Sequence, residues 1–576
     1  RSSRRTDVSL IPTAEMSESL ASCVADLGEG ASTSELFECV GASLDEVSAG
    51  AEASASLANS FLLILSAALV FFMQAGFAML CAGAVREKNV QNTLLKNLLD
   101  ACGAAIAFFT VGYAFSFGGD DPDSSNKTFI GNANFFLIGV EDYGYWLFQY
   151  AFSAASATIV AGTLAERCQM AAYLCYSVML VGFLYPVIVH SLWSTQGFLS
   201  PSNIEPLWET GVIDFAGGGV VHLTGGMTAL FATMILGPRR GRFHDEEGRP
   251  LTTPKEFPGS SISLQMLGAF ILWFGWYGFN AGSALNGTPN ENRGSVAALA
   301  GANTGLAAGA GGLTALFANL WILERYTGEP YFDLKYAMNG TISGLVAITA
   351  GCGVVEPWAA VLIGFVAGLL YIGSSKGILR LRLDDAVDAI PCHLVNGAWG
   401  VTAVGLLASP SRLLAVHGQD EHVGWCYSWG RGSGDGTLLA AQMVSILFII
   451  SWTFAIMMPF FIFLDWKGWF RSDPLEEIVG LDTSYHGGCI LGDSDVQPEY
   501  ISAYKQRKEE RRVSRGSTGS SGPFMSRSPI ETALEIMDEE EHNYGDTDPA
   551  KSDDEEDSDD KEVVVNEQAA GQDASV

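Results

Sequence analysis

Eleven stretches of about 20 mostly apolar residues recur along this chain, near 59–84, 98–118, 146–164, 170–192, 212–236, 262–284, 295–320, 336–354, 357–375, 388–408 and 437–464. A helix of that length rises about 30 Å, the thickness of a bilayer's hydrocarbon core. In hydrocarbon every backbone N–H and C=O must be bonded internally, which makes such a segment a helix. The expected fold class is an all-α polytopic membrane protein with eleven transmembrane helices. The first run, "SFLLILSAALVFFMQAGFAMLCAGA", and the last, "AQMVSILFIISWTFAIMMPFFIFLDW", are the clearest, and 336–354 is the weakest by hydropathy. Composition agrees, with 48% hydrophobic and 17% charged residues. The 65 glycines lie in apolar runs without a triplet period, which excludes collagen and suits closely packed membrane helices.

Loop charge sets the expected orientation. With the N-terminus outside, fourteen lysines and arginines fall in inner loops and four (Lys127, Arg293, Arg412 and Arg431) in outer ones. The chain is thus expected N-out and C-in, with the sequons at Asn126 and Asn286 in outer loops. Spans one to five and six to ten make two halves of five. An odd number per half forces the second to enter inverted, a transporter architecture with the substrate path between the repeats. The expected divisions are an extracellular N-terminal segment (1–57), a membrane domain (58–465), a cytoplasmic regulatory segment (466–495) and a disordered acidic cytoplasmic tail (496–576).

The net charge of −32 is uneven. Half of it, −16, lies in the last 46 residues, where "KSDDEEDSDDKE" reads as a solvated, disordered tail. The first methionine is Met16, and 16–57 lack a charged-then-apolar leader, so no cleaved signal peptide is expected. Of ten cysteines, Cys23 and Cys39 alone precede the first apolar run and are candidates for an extracellular disulfide.

Ionisable groups at membrane depth are costly and mark functional sites by default. Four stand out: Asp214 and His222 in "DFAGGGVVHLTGG", and Asp388 and His393 in "DAIPCHLVNGAWG". Each segment starts with an acid and carries His-Leu, two residues and a glycine. The segments occupy the fifth and tenth spans, so the histidines hold corresponding places in the two halves. Three readings stay open for them. They are core histidines bonded to carbonyls, metal or haem ligands lacking any HxxxH or Glu-x-x-His companion, or a paired-imidazole pore site able to donate, accept and pass protons. Asp214 lies about 12 Å along a helix from His222, too far for a direct bond. It reads as a carboxylate that takes helix N-terminal amides, and Asp388 reads the same way. A membrane enzyme finds no nucleophile motif, phosphate loop or metal constellation to support it.

At residue level, "DFAGGGVVHLTGGMTALFATMILGPRRGR" resembles the signature of the ammonium transporter (Amt/MEP/Rh) family, and "WFGWYGFNAGS" (273–283) resembles its sixth span. "GTLAER", "HSLWS" and "DDAVDAIPCHLVNGAWG" match too, and the resemblance runs from about 55 to 490, closest to the plant and algal branch. It implies two inverted five-helix halves plus an extra C-terminal helix, in a homotrimer with a pore in each protomer. It implies ammonium or ammonia as substrate, methylammonium as analogue, membrane lipid around the protein, no cofactor, no metal, no nucleic acid and no enzymatic activity. The outer recruitment site would be the face of Trp193 and the hydroxyl of Ser283, bordered by Phe152 and supported by Asp214. Phe152 and Phe279 would form the gate, with His222 and His393 as pore histidines below it. Ammonium would lose a proton at the gate, ammonia would cross, and the proton would follow through the histidines, making transport electrogenic. The alternative is an ammonium sensor or a passive ammonia/CO2 channel. "DPLEEIVGLDTSYHGG" (473–488) resembles the family's C-terminal segment, which contacts a neighbouring protomer and is switched by phosphorylation. Its phosphorylatable position falls on Ser484 with Thr483 beside it, implying a kinase partner, and "RRVS" ending at Ser514 resembles a basophilic kinase site. The expected location is the plasma membrane.

Overall fold

Ser32 opens the first helix with a capping box: its hydroxyl accepts from Glu35 N–H while the Glu35 carboxylate accepts from Ser32 N–H. In the computed structural model, which describes residues 25, 32–245, 248–285, 288–486 and 498–517, this helix, α1, runs from Thr33 to Ala84. Its 52 residues reach about 78 Å, so the expected first span is only its second half. The Ala- and Ser-rich stretch before that span has no proline to stop the helix.

Helices follow as α2 (Glu87–Phe117), α3 (Tyr143–Leu164), α4 (Met170–Trp193), α5 (Gly218–Leu236), α6 (Ile262–Leu285), α7 (Asn290–Thr327), α8 (Leu334–Thr349), α9 (Pro357–Arg380), α10 (Ile390–Leu407) and α11 (Thr437–Trp466). Among the described residues the molecule is all-helical, with only isolated β-bridges. Ten of these helices are long and apolar enough to cross a membrane. The exception is α8, in the region of weakest hydropathy, whose 16 residues fall short of a full hydrocarbon span. From Met338 to Thr349 all but Thr341 are buried, because α8 lies against α7, α9 and α10. Enclosed by protein, it needs no lipid-facing apolar surface.

Small residues bring the helices together. A side chain at Gly268 of α6 would collide with the backbone of Gly76 and Leu80 in α1. In the second half, Gly344 of α8 and Gly364 of α9 both approach Ala307 of α7. These elements belong to the first of two compact units, residues 1–511. The tail expected to be disordered from 496 includes a helix, Pro498–Ser517, whose charged run has no proline or glycine before Gly516 to stop it.

One face carries a buried ion network. Arg239, 4% exposed, bridges Glu166 (2.7 Å) and Asp384 (2.8 Å), and Arg86 also reaches Glu166. Burial alone would raise the Asp384 carboxyl, but Arg239 outweighs it and holds it well below the ordinary range. Breaking such a network by removing one partner strands a buried charge. It locks α4, α5 and α10 at their ends on this basic face.

Candidate functional site

Two helices start alike. Before α5, the buried Asp214 carboxylate accepts from the backbone N–H groups of Gly217 (3.1 Å), Gly219 (2.9 Å) and Val220 (2.8 Å). Before α10, the Asp385 carboxylate accepts from Val387 (3.2 Å) and Ile390 (2.8 Å). Asp385 precedes His393 by the eight residues that separate Asp214 from His222. The counterpart of Asp214 is therefore Asp385, and the expectation that Asp388 caps α10 is corrected. Asp388 has left-handed backbone (φ 58°). Its side chain meets Lys335 Nζ (3.1 Å) and the hydroxyls of Tyr371 (2.9 Å) and Ser375 (3.3 Å) instead. Burial, then the Asp388 charge, push the Asp385 carboxyl up to about 6.

Both helices open with a π-helical segment, Gly218–Leu223 and Ile390–Val395, that carries the histidine. Such segments are rare and concentrate at functional sites. The helices cross with reciprocal contacts. A side chain at Gly226, four residues after His222, would strike Leu394, and one at Gly397, four after His393, would strike Leu223. That exchange of partners is what a twofold relation requires.

The crossing brings His222 and His393 together, Nδ1 to Nδ1 at 3.2 Å. One hydrogen bond between two Nδ1 atoms needs a proton on one and a bare lone pair on the other, so two neutral rings hold opposite tautomers. His222 Nε2 is buried and finds no hydrogen-bond partner among the described residues. Aromatic rings continue the line. His222 stacks on Trp276 (centroids 5.1 Å) and Phe279 (5.5 Å), and Phe279 stacks on Phe152 at 4.0 Å. Phe152 meets Trp193 edge-on at 6.0 Å, and Phe77 lies 6.2 Å from His393. Trp193, Phe152, Phe279, His222, His393 and Phe77 thus form one file of rings. Sequence reading passed over Trp276 and Phe77. Trp276 had a signal, since three residues before Phe279 it shares a helix face; Phe77, on α1, had none.

Trp193 is held from two sides. Its Nε1 donates to the Asp214 carbonyl (2.8 Å). The next residues, Ser194 and Thr195, donate through hydroxyl and N–H to Asp120, whose carboxyl is raised by burial. Ser283 is buried one turn after Phe279, and its hydroxyl donates to the Phe279 carbonyl (2.8 Å), leaving its oxygen free to accept. Asp214, by contrast, turns its carboxylate to backbone amides rather than to the Trp193 face.

At the basic face the segment after α11 folds back on the start of α2. Asp482 accepts from Gln91 N–H (2.9 Å) and Asn92 N–H (2.7 Å), and Lys88 Nζ donates to the Ile478 carbonyl (2.8 Å). Thr483 and Ser484 lie on the short helix Leu481–Tyr485, with the Ser484 hydroxyl donating to Gly480 (3.0 Å). Cys39 is disulfide-bonded, whereas Cys23 and Asn286 lie outside the described residues. Asn126 is exposed.

The model of the Ammonium Transporter Family matches residues 61–489. Ammonium transporter 3 of Dictyostelium discoideum is 39% identical over 428 residues, covering 74% of this chain and 92% of that protein. Ammonium transporter 1 member 3 of Solanum lycopersicum is 39% identical over 460 residues, covering 76% and 94%. Among solved structures, a protein named Sensor Amt Protein matches with a TM-score of 0.62 at 32% identity, covering 74% of this chain and 98% of that one. Candida albicans Mep2 matches with a TM-score of 0.62 at 26% identity, covering 77% and 91%. A multi-pass helical membrane protein matched over this length, by a family model and by relatives at this identity, belongs to the ammonium transporter family.

Proposed function

We propose that the chain moves ammonium across a membrane along the file of rings, as ammonia plus a separately transferred proton. The observation that carries this reading is the continuity of Trp193, Phe152, Phe279, His222 and His393. Ammonium gathers at Trp193 by cation–π attraction, with the Ser283 oxygen as acceptor and Asp214 fixing the turn beneath. Phe152 and Phe279, stacked face to face, make an apolar barrier. Carrying an intact cation through it costs several kcal/mol, for ammonium and potassium alike. Ammonium escapes the penalty by giving up a proton. Neutral ammonia then passes, and the Nδ1–Nδ1 bond offers the proton a relay in which the two rings exchange tautomers. Net transport is then electrogenic.

In this reading each protomer of a homotrimer holds one pore, with the N-terminus outside and the C-terminus in the cytoplasm, at the plasma membrane. Phosphate on Thr483 or Ser484 would place charge beside Asp482, which caps α2, and loosen that contact by repulsion. The test is expression in yeast lacking its own ammonium transporters, with oocyte currents measured in parallel. Growth on low ammonium and an ammonium-dependent inward current are expected. Protein at the surface with neither growth nor current overturns transport in favour of a sensor, the role for which one of the matched structures is named. Growth without current identifies neutral ammonia passage instead.

A further inference from the structure

The starts of α5 and α10 differ at one equivalent position. Three residues after each capping aspartate the backbone is left-handed: Gly217 at φ 98° and Asp388 at φ 58°. Glycine accepts that conformation freely, whereas a side chain there is retained against a conformational cost. A Cβ at Gly217 would lie 2.8 Å from Val221 and 3.2 Å from the Trp193 ring, so this position borders the aromatic wall of one mouth. Asp388 stands at the matching depth in the other half, five residues or about 7.5 Å of helix ahead of His393. In place of an aromatic wall it meets the hydroxyls of Tyr371 and Ser375 and the ammonium group of Lys335. The Lys335 side chain is 44% exposed and the Asp388 side chain 7%.

We propose that Asp388, with Tyr371 and Ser375, forms an ammonium-cation site at the second mouth, and that Lys335 is a tethered ammonium occupying it in place of the free ion. The proposal rests on the reading of the ring file as the substrate path. A lysine head is a substituted ammonium with three N–H donors on a point charge, and free ammonium has the same charge and four donors. Acceptors that satisfy one therefore satisfy the other. Lysine's flexible stem, with a side chain 44% exposed, gives the head a route out to solvent. The buried carboxylate is costly when uncompensated, so a departing lysine must be replaced by a cation. Ammonia that has passed His393 takes up the relayed proton at this mouth, and the ammonium so formed displaces Lys335; Lys335 returning displaces ammonium, which keeps product from lodging at the exit.

The test uses the full-length protein in lipid nanodiscs, in a Trp193→Leu background that weakens the first mouth. Thermal unfolding is followed in ammonium chloride against equal potassium chloride and choline chloride. Lys335→Met should gain an ammonium-specific rise in midpoint of about 2 °C at saturation. Lys335→Arg, which keeps the tethered cation, and the parent should gain less than half of that. Lys335→Met/Asp388→Asn should gain none. If Lys335→Met does not fold, Lys335→Gln serves with the same expectations. No ammonium-specific rise, an equal rise in potassium, or a rise that survives Asp388→Asn overturns the proposal. The measurement needs no transport. A rise without any wild-type current would therefore sink the transport reading while leaving this site standing.

Discussion

The two helices that carry the histidines share a frame and differ at their mouths. Both start from an amide-capping aspartate eight residues ahead of the histidine, pass a left-handed residue, open with a π-helical segment and cross through a glycine four residues beyond. The shared parts all bear on where the two imidazoles meet. The differing parts, Gly217 against Trp193 and Asp388 against Lys335, bear on what waits at each end. Local twofold symmetry thus fixes the meeting point, while the asymmetric residues give the two helix starts different surroundings, which in the proposed path become two different mouths.

The strongest way to break the frame is to remove its caps. Asp214→Ala strands three buried amides and Asp385→Ala two part-buried ones. At roughly 1–3 kcal/mol per orphaned group, the first should cost about 3 kcal/mol or more and the second about 2 kcal/mol. Thermal midpoints of the purified variants check this order, and equal losses would refute the matched-cap account. Next comes the imidazole pair. His222→Ala and His393→Ala should each cut ammonium current more than about tenfold, which corresponds to ~1.4 kcal/mol of barrier. Size-exclusion profiles should remain those of the wild type. Loss of the assembled peak would instead make the pair a packing element.

Much of this frame was legible because hydrophobic runs of bilayer length leave few alternatives. His222 and His393 could be paired by eye because both sit before a Leu and near a glycine. The second cap was misread because "DDAVDAIPCHL" offers three aspartates, and choice among them depends on backbone dihedrals that residue spacing does not reveal. The short α8 was the faintest span because its neighbours shield it, so its sequence is freed from lipid. The placements of Trp276 and Phe77 beside the histidines depend on side-chain packing between helices distant in sequence, which one-dimensional periodicity does not encode.

The difference between the mouths is sharpened at Trp193. Replacing it with leucine removes the ring face and leaves bulk. A half-exposed cation–π contact is worth about 0.5–1 kcal/mol, so the apparent KM for ammonium should rise about two- to fivefold. Maximal current should stay within about twofold, since the gate and histidines are untouched. An unchanged KM would place recruitment elsewhere.

The smallest effect is expected one shell further out. Asp120 bonds to the corner rather than to a ring: it holds Ser194 and Thr195, the residues that follow Trp193. Asp120→Asn keeps one acceptor and replaces the other with a donor, so the corner should loosen rather than collapse. An increase in KM of about twofold, below that of Trp193→Leu, is expected, because the indole keeps its own bond to Asp214. Stability should carry a second signature. Burial raises the folded Asp120 carboxyl above 3.8, so between that value and its raised one the folded chain binds more protons than the unfolded chain. Stability from this group therefore falls as pH rises through that window. Asp120→Asn cannot titrate and should lose that part of the slope in thermal midpoints taken from pH 4 upward. A variant that keeps the wild-type slope but shifts KM would show that Asp120 acts on Trp193 by position alone. One that loses the slope and leaves KM unchanged would confine it to the loop, leaving the first mouth held only by the Asp214 carbonyl.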